Sequence, residues 1–172
     1  MSTAKECVFR IYRDARFSKN KEPYKTNFGA FISKGGRKSP YAGYYIHFEP
    51  DNSYIGGGIY MPQAPVLKSI RMSIFEDSTA YKKIIHNKKF TQLFPEIYGQ
   101  PLKMAPKGFP KDFKDIDLLK NKHYAVTRPI GNDFWFNENT SKNILITFKT
   151  QAKFNQFLNH AVETVSTQNH ST

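Results

Sequence analysis

The sequence predicts an α+β fold, in which an antiparallel sheet of about four to six strands, arranged as a meander, packs against helices. Apolar residues alternate in several short segments of the first half, and turn-forming residues separate these segments. After Pro62 the apolar spacing becomes helical, and a long amphipathic helix is predicted near the C-terminus. At 172 residues the chain is long enough for one core. We therefore expect a single domain over residues 1–172, with a frayed polar tail at 166–172.

The strands are predicted from a period of two in the apolar residues. The first run covers residues 7–12, where Cys7, Phe9 and Ile11 alternate with a basic and aromatic face. The same period recurs at residues 28–32, 44–48 and 54–60, and residues 123–129 are expected to return as a further strand. Short turns between neighbouring runs indicate antiparallel pairing, because parallel strands require long crossovers.

The helices are predicted from apolar residues three and four positions apart. Pro65 suits a first helical turn, and Leu67, Ile70 and Ile74 continue the spacing, which predicts a helix over residues 65–75. Shorter helices are expected at 80–86 and 115–122, and one long or two consecutive helices at 140–165. Residues 90–99 are ambiguous because Pro95 interrupts them, and the prolines of 102–113 indicate a loop.

The charge balance favours an anionic partner. The chain has 26 Lys and Arg against 14 Asp and Glu, a formal net charge of +12, which suits a nucleic acid, a membrane surface or an acidic metabolite. A single cysteine, Cys7, excludes an internal disulfide and indicates a reducing, cytoplasmic setting. Cys7 lies in an apolar run, which is typical of a small buried side chain. No apolar run is long enough to span a membrane.

The densest cluster of charge lies in residues 9–25. This stretch holds six cations and four aromatic residues but only two acids. Arginine and lysine side chains around a strand and its turn form a natural cradle for phosphate, carboxylate or sulfate. The alternative is a set of exposed ion pairs without a binding role. We predict an anion site from the residues of this stretch that carry the charge or interleave with it: Arg13, Asp14, Arg16, Lys19, Lys21, Tyr24 and Lys25.

Other segments supply further candidates. Arg71, at the edge of an apolar helical stripe, and Lys107, in a basic loop, are predicted to reach the same anion. His47 and Glu49 share a strand face with Tyr45 and are weak catalytic candidates, although such a face commonly turns to solvent. No metal site is predicted, because no second ligand cluster accompanies them. Gly56, Gly57 and Gly58 lack the spacing of a phosphate loop, so they indicate a bulge or a close backbone approach.

The sequence also resembles a known family. The segment Tyr12-Arg-Asp-Ala-Arg-Phe-Ser-Lys-Asn-Lys-Glu-Pro-Tyr-Lys-Thr26 is similar to the signature of the bacterial family called domain of unknown function 2461, and the similarity continues through residues 42–50, 56–62, 67–71 and 102–109. The resemblance implies an α+β domain with no established activity, cofactor or substrate. It also implies a helical segment ahead of the signature, which this chain would lack, and the apolar patch left exposed would favour self-association.

Three functions remain open at this level. The first is a basic groove that binds nucleic acid or another polyanion. The second is an enzyme that acts on a phosphorylated or carboxylated small molecule, with His47 or Glu49 as the acid-base group. The third is a structural or partner-binding protein in which Arg13, Asp14 and Arg16 form a buried ion-pair network. The sequence does not decide whether the protein is an enzyme, and it identifies no cofactor.

Overall fold

The sheet confirms the predicted α+β class. The computed structural model describes residues 3–10, 12 and 24–168. In this part of the chain, four strands form one antiparallel sheet in the order β1-β2-β3-β4. The first three strands make the predicted meander, and β4 joins β3 after the helices of residues 64–119. The strands are β1 (Phe28–Ile32), β2 (Gly43–Phe48), β3 (Tyr54–Ile59) and β4 (Tyr124–Pro129).

The helices agree with the predicted segments. Pro65 occupies the first turn of the helix Ala64–Glu76. The side chain of Asn87 accepts hydrogen bonds from the amides of Lys89 and Phe90 at the start of the helix Lys88–Leu93, so residues 90–93 of the ambiguous segment are helical. A short 3-10 helix at Asn132–Phe136 was not predicted. The α-helices are α1 (Ala4–Cys7), α2 (Ala64–Glu76), α3 (Ser78–Ile85), α4 (Lys88–Leu93), α5 (Ile116–Leu119) and α6 (Thr140–Gln168).

The hydrophobic core lies between the sheet and the helices. The long helix α6 packs on one face of the sheet, and α2, α3 and α4 pack against α6. Ile55, Tyr124 and Val126 point from the sheet into this layer and are fully buried, as are Phe154 and Leu158 of α6. Among the described residues, no helix combines the length and the apolar character that crossing a membrane requires.

The buried face of α6 is more polar than the sequence predicts. Thr147, Gln151 and Asn155 are buried at helical spacing, whereas the apolar side chain of Leu145 is exposed. The amides of Gln151 and Asn155 donate to the carbonyl of Gly43 at 3.2 and 3.1 Å. These bonds pair the side-chain N–H groups of Gln151 and Asn155, which burial would otherwise penalise. A polar stripe therefore fixes α6 against the start of β2.

The N-terminal strand predicted at residues 7–12 is wrong in its described part. Residues 4–7 form the short helix α1, which begins where the Thr3 amide donates to the Glu6 carboxylate at 2.7 Å. After α1, Val8 and Tyr12 make only isolated bridges, to Ala30 and Tyr24. Cys7 is buried, as its apolar surroundings predicted.

Candidate functional site

One face of the sheet turns away from α6, and we call it the open face. Strand register places Phe31, Tyr45 and Thr127 side by side on it, and His47 and Tyr54 one pair further along. Because side chains alternate along a strand, the neighbours of these residues point into the core instead. The open face is thus dominated by aromatic side chains.

The open face contains a pocket of about 530 Å³. Its walls are the aromatic rings of Phe9, Phe31, Tyr45, Tyr54, Tyr60 and Tyr98, together with Arg37. We call this cavity the aromatic pocket. Its volume falls within the range of about 300–1,000 Å³ that is usual for small-molecule sites.

Two segments outside the sheet close the sides of the aromatic pocket. At the β1 edge, the Phe9 amide donates to the Gly29 carbonyl at 2.9 Å, and the Phe9 ring meets Tyr45 edge-on. At the β4 edge, the Tyr98 amide donates to the Ala125 carbonyl at 2.8 Å. Backbone bonds at both edges therefore bring aromatic rings to the pocket from distant parts of the sequence.

Gly57 and Gly58 of β3 line the aromatic pocket. Gly57 has φ of 148°, and a Cβ there would lie 2.0 Å from the Gly43 carbonyl oxygen. Only glycine permits this approach of β3 to β2. The close backbone approach predicted for the glycine run is therefore present at the wall of the aromatic pocket.

Arg37 holds the N-terminal segment beside the pocket. Its Nη1 atom donates to the carbonyls of Lys5, Glu6 and Val8 at 3.1 to 3.2 Å. These three acceptors lie around the end of α1, where helical carbonyls lack partners of their own. Arg37 thus contributes to the shape of the pocket by positioning the chain that carries Phe9.

A chain of three hydrogen-bonded side chains runs along β2 from the pocket wall. The Tyr45 hydroxyl lies 3.1 Å from His47 Nδ1, and His47 Nε2 lies 3.1 Å from Glu49 Oε2. The side chains of His47 and Glu49 are only 12% and 24% exposed. The expectation that this strand face turns to solvent is therefore wrong, because aromatic rings cover it; Tyr54 stacks on the His47 ring at 4.6 Å.

Burial and hydrogen bonding shift the ionisation of these groups in opposite directions. The hydrogen bond from His47, reinforced by one from Asn52, lowers the pKa of Glu49, so this carboxyl is ionised at neutral pH. Burial raises the pKa of Tyr45, and burial together with the neighbouring Tyr45 raises the pKa of Tyr54 to about 12. Both phenols therefore keep their protons at neutral pH.

One cationic residue of the predicted anion site, Lys25, lies beside the aromatic pocket. A smaller recess of about 120 Å³ is lined by Arg10, Lys25, Asn27 and Tyr45, among others, and Tyr45 is shared by both cavities. Lys25 has no carboxylate partner within the described part of the chain. The recess thus places positive charge next to the Tyr45 ring.

Most residues of the predicted anion site fall in a stretch that the described residues do not include. Arg13, Asp14, Arg16, Lys19 and Lys21 all lie outside the described residues. Tyr12 and Tyr24, on either side of that stretch, pair in an antiparallel bridge, and their rings lie 5.6 Å apart. Both rings are more than half exposed.

Arg71 and Lys107 lie elsewhere. The Arg71 Nη2 atom donates to the Asn121 carbonyl at 2.9 Å. Arg71 also lies near Tyr124, a core residue on the α6 side of the sheet: burial raises the pKa of Tyr124, and the Arg71 guanidinium partly offsets this rise. Lys107 is exposed in the loop whose Phe109 packs on Phe75 of α2. Neither residue lines the aromatic pocket or its recess.

Sequence reasoning missed Arg37, Tyr54, Tyr60 and Tyr98 as site residues. The period of two places Tyr54 and Tyr60 on a strand, but nothing in it indicates which tyrosines share a cavity. Tyr98 falls in residues 90–99, for which the sequence gives no clear secondary structure because Pro95 interrupts them. Among the described residues, no group of three or more His, Cys, Asp or Glu side chains is arranged to hold a metal ion.

Comparison with known proteins places the chain in a family. It belongs to the conserved hypothetical proteins called domain of unknown function 2461, whose family model matches residues 1–157. The family that the sequence resembles is thereby confirmed. No protein with a curated description and no solved structure matches the chain.

Proposed function

We propose that the aromatic pocket binds a small organic anion, with its apolar or aromatic body between the rings and its charged group in the recess beside Lys25. The observation that carries this proposal is the shared wall: Tyr45 borders both the aromatic pocket and the cationic recess. A ligand with a phosphate or carboxylate on a planar body matches both parts. Of the functions left open by the sequence, this proposal favours a site for a small molecule over an extended groove for a polyanion.

The chemistry of the two cavities supports a ligand of this class. Aromatic rings offer large apolar contact area at little cost in conformational entropy, and they stack on planar groups. A lysine ammonium binds phosphate or carboxylate through charge-assisted hydrogen bonds. Phe9 and Tyr98 close the pocket at the two sheet edges, which favours a compact ligand over one that continues past the site.

Calorimetric titration with phenyl phosphate tests the proposal, with benzyl alcohol as the uncharged probe. Wild type should bind phenyl phosphate more tightly than benzyl alcohol, and Lys25→Ala should weaken phenyl phosphate binding about tenfold, as expected for a lost charged hydrogen bond. Lys89→Ala removes the same charge from an exposed position on α4 and should change nothing. Equal affinities for the two probes, or an unaffected Lys25→Ala variant, would contradict the proposal.

A second candidate is nucleic-acid binding, and the Tyr12–Tyr24 pair favours it. These exposed rings stand at the two ends of the most basic stretch of the chain, an arrangement that suits base stacking beside phosphate contacts. Binding of single-stranded DNA should then weaken steeply with added salt, because neutralised phosphates release counterions. Affinity that hardly changes between low and moderate salt would exclude this candidate.

A further inference from the structure

We propose that the Tyr45 hydroxyl is a catalytic proton-transfer group, with His47 as its proton acceptor and Glu49 as the residue that positions the histidine. The inference rests on the proposed function in one respect: the ligand whose proton is moved is the one held in the aromatic pocket. It adds an activity, general acid-base catalysis, to a site for which binding alone has been argued.

The order of the three groups matches the direction in which a proton would travel. Tyr45 lines both cavities and is therefore open to a bound ligand. His47 and Glu49 do not line either cavity and lie behind Tyr45 on the same strand face. A reacting group, a base within hydrogen-bond reach and a carboxylate that orients the base form the arrangement used to activate hydroxyl groups in enzymes.

The hydrogen bonds fix which atoms carry the protons. An ionised Glu49 carboxylate can only accept, so His47 Nε2 must donate to it. In a neutral imidazole the other nitrogen, Nδ1, then accepts, and its partner at 3.1 Å is the Tyr45 hydroxyl. In the resting state the Tyr45 hydroxyl therefore donates a hydrogen bond to His47 Nδ1, which is the direction that activation requires.

The surroundings hold the three groups in this geometry. The Tyr54 ring stacks on His47 with an interplanar angle of 14°, and Asn52 donates to Glu49 Oε2 at 2.8 Å. Gly29 leaves room for the Tyr45 hydroxyl, since a Cβ there would lie 2.7 Å from its oxygen. Because burial keeps the Tyr45 phenol protonated at neutral pH, its proton has to leave during the reaction rather than before it.

The proton transfer requires no external reagent. A hydroxyl group of the ligand loses its proton to the Tyr45 oxygen and keeps the electron pair of the broken O–H bond. The Tyr45 O–H bond breaks as its own proton moves to His47 Nδ1. The imidazolium so formed is paired with the Glu49 carboxylate, and the reverse transfers return the proton to the product.

Selective acetylation by 4-nitrophenyl acetate tests the relay. The Tyr45 oxygen attacks the acetyl carbonyl, the ester C–O bond breaks, nitrophenolate leaves with the electron pair and the phenol proton moves to His47. Peptide mass spectrometry then compares Tyr45 with Tyr44, which lies on the same strand but faces α6 and stacks on Phe148. The probe is uncharged, so its reaction does not depend on the cationic recess.

We expect Tyr45 to be acetylated faster than Tyr44, and His47→Gln to slow the reaction about a hundredfold. Glu49→Gln should slow it as well. His86→Gln and Glu138→Gln, at exposed positions, should leave the rate unchanged. If His47→Gln does not fold, Glu49→Gln alone gives the comparison.

Two outcomes overturn the inference. One is acetylation of Tyr45 no faster than that of Tyr44. The other is selective acetylation that is independent of both His47 and Glu49. Phenyl phosphate titration of the same variants distinguishes failure of the relay from failure of the proposed function. If Tyr45 is unreactive but the protein still binds phenyl phosphate, the relay is refuted and the proposed binding function is not.

Discussion

The Tyr45 hydroxyl lies 3.1 Å from Nδ1 of His47, two residues along the same strand. This contact depends on the neighbouring strand, where Gly29 pairs with His47 in register and has no side chain to occupy the place of the Tyr45 hydroxyl. The proposed relay therefore depends on Gly29 of β1 as well as on Tyr45, His47 and Glu49. It can be disturbed without changing any of the polar groups that form it.

Replacing Gly29 by alanine should displace the Tyr45 hydroxyl. The new Cβ would lie 2.7 Å from the oxygen, which is the far end of a side chain that can turn away. We expect the free energy of unfolding to fall by no more than about 1 kcal/mol, the loss of one net hydrogen bond. Acetylation of Tyr45 should fall to the rate of Tyr44. Retention of the wild-type rate would show that the contact with His47 has no role in activation.

Gly57 should be far more sensitive to the same substitution. Alanine at this position would meet the Gly43 carbonyl oxygen at 2.0 Å with φ of 148°, so the backbone of two strands would have to separate. Gly57→Ala should lower the unfolding free energy by well over about 1 kcal/mol.

Gly108 provides the matched control for Gly57. It also has positive φ, at 90°, but a Cβ there would meet nothing within 4 Å. Chemical denaturation of both alanine variants measures the difference that the close approach makes. Equal losses would mean that backbone conformation, rather than contact between β2 and β3, requires glycine at position 57.

The hydrogen bond from His47 to Glu49 should make stability depend on pH in acid. In the folded protein the pKa of Glu49 lies below 4.5, the ordinary value that applies to the unfolded chain. At a pH between the folded pKa and 4.5, the unfolded state therefore binds more protons than the folded state. The contribution of Glu49 is therefore present above pH 4.5 and is lost as the pH falls through the folded pKa. Denaturation of wild type and Glu49→Gln across this range should show their difference shrinking in acid. If the difference in unfolding free energy between the two proteins stays constant across this pH range, the predicted contribution of Glu49 is contradicted.

The arginines of the signature separate a binding role from a structural one. We expect the double variant Arg13→Ala and Arg16→Ala to keep the melting temperature of wild type and to bind phenyl phosphate more weakly. The matched control is Lys88→Ala with Lys89→Ala, which removes two exposed charges from α4. A large loss of stability in the arginine variant alone would favour the buried ion-pair network instead.

The sequence predicts the sheet well because its strands follow a strict period of two. That period by itself assigns Tyr45, His47 and Glu49 to one face of a strand. It does not indicate whether the face is covered, since the rings that cover it come from the ends of other strands and from loops. Phe9 and Tyr98, for example, are held by backbone bonds to opposite edges of the sheet.

The polar contacts of α6 and of the N-terminus were less predictable. Gln151 and Asn155 are ordinary surface residues by type, and only the Gly43 carbonyl explains their burial. Likewise, the alternation of Cys7 and Phe9 favours a strand, yet the bond between Thr3 and Glu6 starts a helix there. In both places a specific hydrogen bond overrides the apolar pattern.

A crystal structure of the protein with phenyl phosphate would test the central claim most directly. We predict the phenyl ring inside the aromatic pocket, between Tyr45 and Tyr98, and the phosphate in the recess within hydrogen-bond distance of the Lys25 ammonium. Density for the ligand only outside this pocket, or a pocket that stays empty while phenyl phosphate binds in solution, would contradict the account.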